Sequence, residues 1–564
     1  MNPSYKKYRP FVPVRMTERK WPDNAITKAP DWCSVDLRDG NQALVTPMNL
    51  EEKLNFFRTL VQIGFKEIEI GFPSASETEY EICRTLIEQN LVPDDVWLQV
   101  LVQARPHLIK KTFEAVRGAK NVIIHFYNST STLQRKVVFK KDMAGIIDIA
   151  VEGARLVREL TEEATGCGTN FRYEYSPESF SGTEMDNAVE ICARVMETLG
   201  STPQNPVILN LPNTVEMCTP NTYADQIEYF ISHLPNKESA IISVHPHNDR
   251  GTGVACAELS MLAGAQRVEG TLFGNGERTG NLDIITTALN MYTQGVDPKL
   301  DFSHIDQIRE VYESATKMQV HERQPYAGKL AFTAFSGSHQ DAINKGYHYM
   351  EEHHSEYWEV PYLPIDPADV GREYEPVIRI NSQSGKGGAA FVMQNNFGFA
   401  MPKEMHPEFG AIVKAECDRT GKELGADEVY ALFEREYLSV NAPYQLGKYK
   451  IDENAEEHEH DDTLSHFTGM ILKNGAPIAV EGSGNGPIDA FFSALAHIGL
   501  SGYRFLSYHE HAISIGSDSK AAAYIALAQP NGSTIFGVGI SGNITRASMR
   551  GILCAINRSL KNQK

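Results

Sequence analysis

Three side chains are of types that could do chemistry together. His245 and His247, in VHPHND, are two residues apart, so on a β-strand both imidazoles leave the same face. Two imidazoles on one face are a recognised ligand spacing for Zn, Mn or Fe. Asp39, in DLRDGNQ, adds a carboxylate that can ligate a hard cation, and Arg38 beside it offers a fixed fork of donors to a carbonyl or carboxylate oxygen. Asn281, in GNGERTGNLD, can add an amide oxygen. Glu277 and Arg278 in the same stretch can orient such groups or simply pair with each other at a rim. The set mixes oxygen and nitrogen without thiolate, which suits Mg2+, Mn2+ or Zn2+. Two histidines and a carboxylate also match the facial triad of non-haem iron oxygenases, although an asparagine ligand and a barrel frame fit that chemistry less well.

Residues so far apart meet only in a fold that gathers strand ends. Eight short apolar runs provide one: 32–37, 67–72, 96–102, 121–126, 171–176, 206–212, 240–247 and 267–274. Segments of helical period such as LEEKLNFFRTLVQIG and AVEICARVMETLG lie between them. Eight β-α units predict a parallel (β/α)8 barrel over residues 31–325, rather than a doubly wound sheet opened by Gly-x-Gly-x-x-Gly. Functional residues of such barrels sit at the C-terminal strand ends. Asp39 follows strand 1, the His pair ends strand 7, and alternate strands feed the same interior layers. Other strand ends are polar: His125 on strand 4, Glu174, Ser176 and Glu178 on strand 5, Asn213 and Thr214 on strand 6. Together they make a hydroxyl-rich ring suited to a small oxygenated substrate.

The remaining chain organises around that barrel. Residues 1–30 are polar and Pro-rich and read as an extended arm. Residues 326–425 read as linker subdomains. Residues 426–564 read as an α+β unit with a weak β-β-α repeat, in which GNGP (484–487) and GNIT (542–545) each open a helix. That unit is either a dimerisation domain or a ligand-binding regulatory one. The acidic run DENAEEHEHDD (452–462) reads as a solvated loop, with His458 and His460 as a weaker metal candidate.

A formal net charge of −19 argues against non-specific nucleic-acid binding. Eight scattered cysteines without a Cys-x-x-Cys pair suggest reduced thiols. No apolar run approaches the roughly 18 residues of a membrane span, and the N-terminus lacks a signal-peptide core. A cytoplasmic protein with no membrane partner is expected.

DLRDGNQ, HPHND and GNGERTGN together resemble the metal-dependent barrel enzymes that make or break carbon–carbon bonds next to a ketone. That family includes isopropylmalate, homocitrate and citramalate synthases and hydroxymethylglutaryl-CoA lyase. EYSPES, LPNT, SGSHQDAINKG (336–346), VGREYE (370–375), NSQSGKGG (381–388) and the GNGP module are similar to the long 2-isopropylmalate synthases. The resemblance implies condensation of acetyl-CoA with 2-oxoisovalerate, a divalent metal, a homodimer and leucine as effector. It implies Asp39, His245, His247 and Asn281 as metal ligands, with Arg38 on the ketone oxygen and Thr214 on the substrate carboxylate. His125 and Ser176 would line the isopropyl end. His339, with Tyr374, would act as base from the partner subunit, with Glu178 as an alternative base or relay. A homocitrate or citramalate synthase and a metal-dependent carbon–carbon lyase are the alternatives.

Overall fold

Each of the eight runs becomes a strand, and the eight close into a parallel barrel in chain order. They are β1 (Asp31–Ser34), β2 (Glu67–Gly71), β3 (Trp97–Gln103), β4 (Asn121–Ser129), β5 (Asn170–Glu178), β6 (Val207–Asn213), β7 (Ala240–Pro246) and β8 (Arg267–Gly270). The strand β8 pairs back onto β1, with Cys33 opposite Glu269. The computed structural model describes residues 4–164, 166–374, 387–422, 424–454, 464–513 and 519–562. The chain divides into two compact units, Met1–Phe332 with Ile365–Glu373 and Thr333–Pro364 with Tyr374–Lys564.

Helices wrap the barrel for reasons written in the sequence. In Leu50–Ile63, Asn49 accepts from the Glu52 amide and the Glu52 carboxylate accepts from the Asn49 amide. Gly64, at φ 112°, ends the helix in a conformation that side chains resist. The same helix buries Phe56, Phe57, Leu60 and Ile63, each worth about 1.5–3 kcal/mol when fully withdrawn from water.

Two strands stop earlier than their apolar runs suggest. After Ser34 the DLRDG segment coils into a wide helical turn, Asp36–Gly40, instead of extending to residue 37. After Gly270 the chain turns into Leu272–Gly274, and the returning segment packs so close that a side chain at Gly270 would press on the Leu282 carbonyl and on Ile284. Both departures lie at the strand ends that carry Asp39 and Asn281.

Asp36 ties these two ends together. It is buried, its Oδ2 accepts from the Ser34 hydroxyl at 2.8 Å, and its Oδ1 accepts from the Leu272 amide at 3.0 Å. Burial outweighs those hydrogen bonds and pushes its carboxyl up to about 7. The unfolded chain releases that proton near pH 4. Between about pH 4 and 7 the folded state therefore holds the extra proton, and stability falls as pH rises through that window. Asp36→Asn stays neutral and should lose this slope. Relative to wild type it should gain about 2–4 kcal/mol between pH 4 and pH 8, as read from urea midpoints. An equal difference at both pH values would refute the buried, protonated Asp36.

Inside the barrel the filling is polar. In β2, Ile68 and Ile70 alternate with Glu67 and Glu69, and all four are buried. The guanidinium of Arg267, fully buried, donates to Glu67, to Glu269 and Ser243 (2.9 and 2.8 Å) and to Gln99 (2.8 Å). Stripping one partner from a buried ion network of this kind typically costs about 3–5 kcal/mol.

The second unit holds two antiparallel sheets. The first has order β11-β10-β9, from β9 (Tyr444–Asn454), β10 (Leu464–Lys473) and β11 (Ala476–Gly484), followed by the helix Pro487–Ala496. The second has order β12-β13-β14, from β12 (Arg504–Ala512), β13 (Ala521–Ala528) and β14 (Thr534–Ser541), followed by the helix Ile544–Asn562. The repeat is thus three strands and a helix, one strand longer than the sequence pattern suggests. Of the additional strands, β12 is mostly water-facing, and β9 packs Tyr444, Leu446, Tyr449 and Ile451 on the core but intersperses them with Gln445, Gly447, Lys448 and Lys450, so neither reads as a continuous apolar run. In each repeat the strand before the helix carries Gly-x-Gly (Gly482 and Gly484; Gly537 and Gly539), where any Cβ would collide with the backbone of the following helix. Met393, Phe409, Val413 and Phe433, from segments flanking residue 425, share one core with Tyr524, Phe536 and Val538 of β13 and β14.

Candidate active site

The wide turn after β1, the end of β7 and the loop after β8 deliver four donor groups to one point. Asp39, His245, His247 and Asn281 are all buried. His245 Nε2 lies 3.1 Å from Asp39 Oδ2 and 3.0 Å from Asn281 Oδ1. His247 Nε2 lies 3.8 Å from the same Asp39 oxygen. One ligand atom from each of Asp39, His245 and His247 falls within 4.8 Å of the others. Each donor is aimed. Asn281 spends its Nδ2 on the Asn275 carbonyl at 3.0 Å, which leaves Oδ1 facing the cluster. Gly276 has no side chain because a Cβ there would overlap the Asn281 amide.

The electrostatics favour a cation at this point. Burial alone would raise Asp39, yet Arg38 and the two histidines hold it well below the usual carboxylate range. Burial, and then the positive His245, push His247 down to about 4, so its imidazole is neutral and one ring nitrogen keeps a lone pair. His247 Nδ1 is buried without a hydrogen-bond partner among the described residues. Burial also opposes charge on His245, but Asp39 and Glu269 together hold it at about 9. The residues present therefore fit a divalent cation.

Above the cluster opens a cavity of about 310 Å3. Arg38, His125, Ser176, Glu178 and Thr214 all line it. Arg38 spends its Nε on Glu69 (2.5 Å) and sets Nη1 3.3 Å from Asp39. His125 Nδ1 meets Glu69 Oε2 at 2.6 Å and its Nε2 meets the Ser176 hydroxyl at 2.7 Å. Thr214 Oγ1 accepts from the Ser179 amide at 2.9 Å, leaving its hydroxyl proton to donate elsewhere. Glu178 accepts from the Ser129 hydroxyl. Glu277 and Arg278 reach the same cavity, and Arg278 Nε pairs with Asp249 at 2.7 Å. Leu101, Phe72 and Pro212 supply apolar wall.

Some strand-end residues lie elsewhere. Glu174 is fully buried, 3.3 Å from both His125 Nε2 and Arg267 Nη2. Asn213 is buried with its Nδ2 on Cys256 Sγ at 3.8 Å. His339 and Tyr374 belong to the second unit. His339 is exposed in the first turn of the helix Gly337–His353, and its ring stacks on Tyr362 at 4.0 Å. The Tyr374 hydroxyl is buried without a partner among the described residues, and burial, reinforced by Tyr347, pushes it up to about 12. His458 and His460 lie outside the described residues. The sequence reading missed the buried polar network of Glu69, Gln99, Arg267 and Glu269 under the cavity, and Asn210, which joins that network to the cavity wall. The alternation Glu-Ile-Glu-Ile in β2 carries the signal, because a barrel strand buries both of its faces.

A barrel of this closure with mixed O/N donors at its C-terminal mouth defines a class of metal-binding barrel enzymes, and comparison with known proteins agrees. The HMGL-like family model matches residues 29–311. The model for the alpha-isopropylmalate synthase post-catalytic domain matches 329–394, and that for the LeuA allosteric (dimerisation) domain matches 423–560. The 2-isopropylmalate synthase of Clostridium acetobutylicum is 56% identical over 98% of this chain and 99% of its own. That of Rhodospirillum rubrum is 52% identical over 98% of each chain, and that of Acetoanaerobium sticklandii is 51% identical over 100% of this chain and 98% of its own. The chain belongs to the 2-isopropylmalate synthase family. Family and donor cluster together imply a divalent metal. Among the described residues no helix is long and apolar enough to cross a membrane.

Proposed function

We propose that the chain condenses acetyl-CoA with 2-oxoisovalerate and water to give 2-isopropylmalate and CoA, the committed step of leucine biosynthesis. In this reading it works as a cytoplasmic homodimer inhibited by leucine at its C-terminal module. The observation that carries the reading is a likeness to 2-isopropylmalate synthases that runs end to end, regulatory region included. A carbon–carbon lyase would have no use for that region.

Asp39, His245, His247 and Asn281 would hold Mg2+, Mn2+ or Zn2+, and the cation supplies Lewis-acid polarisation of the substrate ketone. Arg38 donates hydrogen bonds to the ketone oxygen, where negative charge grows as the new carbon–carbon bond forms. The Thr214 hydroxyl donates to the substrate carboxylate. His125 and Ser176, locked to each other, bound the isopropyl end. The partner's His339, assisted by the partner's Tyr374, removes a proton from the acetyl methyl group. Glu178, at the cavity wall, is the alternative base or relay. Water then cleaves the thioester and releases CoA, which makes the step irreversible.

The test is release of free CoA thiol from acetyl-CoA with 2-oxoisovalerate, 2-oxobutyrate and 2-oxoglutarate in turn. The highest kcat/KM is expected for 2-oxoisovalerate, falling as leucine is added. A clear preference for 2-oxoglutarate would move the chain to a sister synthase, and no thiol release with any of the three would sink the condensation.

A further inference from the structure

The side chain best connected to the candidate metal cluster does not touch the cavity. Glu269, on β8, is fully buried, and its carboxylate receives four donors, two on each oxygen. Oε1 accepts from Arg267 Nη1 at 2.9 Å and from Gln99 Nε2 at 2.9 Å. Oε2 accepts from His245 Nδ1 at 2.7 Å and from Asn210 Nδ2 at 3.0 Å. A carboxylate offers about four lone-pair directions, so this one is saturated and carries no proton of its own. His245 Nδ1 must therefore be the donor in their contact. Its Nε2 is then the only ring nitrogen left to face Asp39 and Asn281.

We propose that Glu269 is the positioning residue of the metal site: it fixes the ring plane and tautomer of His245, so that Nε2 presents a lone pair to the cation. The hold is rigid because the other partners of Glu269 are themselves fixed. Gln99 cannot turn its amide, since its Oε1 accepts from Arg267 Nη2 at 2.8 Å while its Nε2 also donates to Glu69 at 2.8 Å. Asn210 Nδ2 also donates to Ser176 at 3.1 Å. The inference rests on the metal reading above but on no particular substrate.

The test measures metal directly. The full-length protein is stripped with a chelator and titrated with Zn2+, then loaded with Co2+ and its visible absorption recorded. Glu269→Gln keeps the length and removes the charge. Glu269→Asp keeps a charge for Arg267 and withdraws the oxygen from His245. Each should weaken Zn2+ binding about 10–100-fold with unchanged circular dichroism, and should shift the Co2+ band. Glu258→Gln, an outer-helix carboxylate bonded to Asn290, should bind as wild type. A folded Glu269 variant with wild-type affinity and an unshifted Co2+ band overturns the proposal. If neither variant folds, the Zn2+-loaded wild type decides. Long-range 1H–15N spectra, assigned against His245→Gln, should place the His245 proton on Nδ1, and a proton on Nε2 overturns the proposal. Wild type that binds no divalent cation sinks the metal reading itself. A chain that binds through a Glu269-held His245 yet fails to release thiol sinks only the condensation.

Discussion

His245→Ala is expected to fold, to lose its divalent cation on gel filtration, and to release CoA thiol at least about a thousandfold more slowly than wild type. The loss of metal follows from the donor count. Four groups converge, and His245 is the one in contact with both oxygen donors, at 3.1 and 3.0 Å. Even the groups that merely orient ligands are worth about 10–100-fold in affinity, so deleting a ligand must cost more. The loss of rate follows because Arg38 alone would remain to stabilise charge on the ketone oxygen. Removing a single preorganised donor of that kind already costs about 100–1,000-fold elsewhere. Folding should survive because Glu269 keeps three donors, from Arg267, Gln99 and Asn210. Elemental analysis after gel filtration checks the metal and the thiol assay checks the rate. One equivalent of tightly held cation in the variant would refute the ligand assignment.

The frame of this site was legible because its signals are local. Short apolar runs, helical spacers between them and the His-x-His pair each declare themselves within a few residues. The boundaries of β1 and β8 were not, because Asp36 and Gly270 act through contacts with Leu272 and Leu282, which the pairing of β1 with β8 and the return of the following loop bring close. The network under the cavity was hidden for another reason. Glu69 on β2, Gln99 on β3, Asn210 on β6 and Arg267 with Glu269 on β8 are far apart in the sequence, and each alone looks like an exposed face of an amphipathic strand. Only barrel closure makes them one buried cluster, in which five strands contribute to the setting of one imidazole.

The C-terminal half shows the same limit at the scale of a core. A cut at residue 426 looks natural from the texture of the chain, where linker pieces give way to a strand-rich unit. Met393, Phe409 and Val413 precede that cut, yet they bury themselves against Tyr524, Phe536 and Val538, which follow it. Removing residues 426–564 would expose that shared core, so a loss of leucine inhibition in the truncated chain would report misfolding as readily as a missing effector site.

The second large effect concerns His339. His339→Ala should lower kcat by about 100–10,000-fold, the range of a lost general base, while leaving metal content unchanged. The opposite signature, metal lost along with rate, belongs to Asp39→Ala. Each variant alone is then inactive for a different reason, and the two defects lie in different compact units, Asp39 in the barrel and His339 in the second. If the base acts from the partner subunit, a two-fold dimer containing one chain of each type has one site with both defects and one with neither. Equal mixing with free subunit exchange makes half of the dimers mixed, so activity should return to about a quarter of the wild-type value. Should the base act within its own chain, every site in the mixed dimer keeps one defect and nothing returns. The exposure of His339, stacked on Tyr362 at the surface of the helix Gly337–His353, is what a base offered to another chain requires. Differently tagged chains, co-expressed and purified through both tags, remove the homodimers and raise the expected recovery to about half. A doubly tagged preparation that remains inactive would place the base in the same chain as its metal.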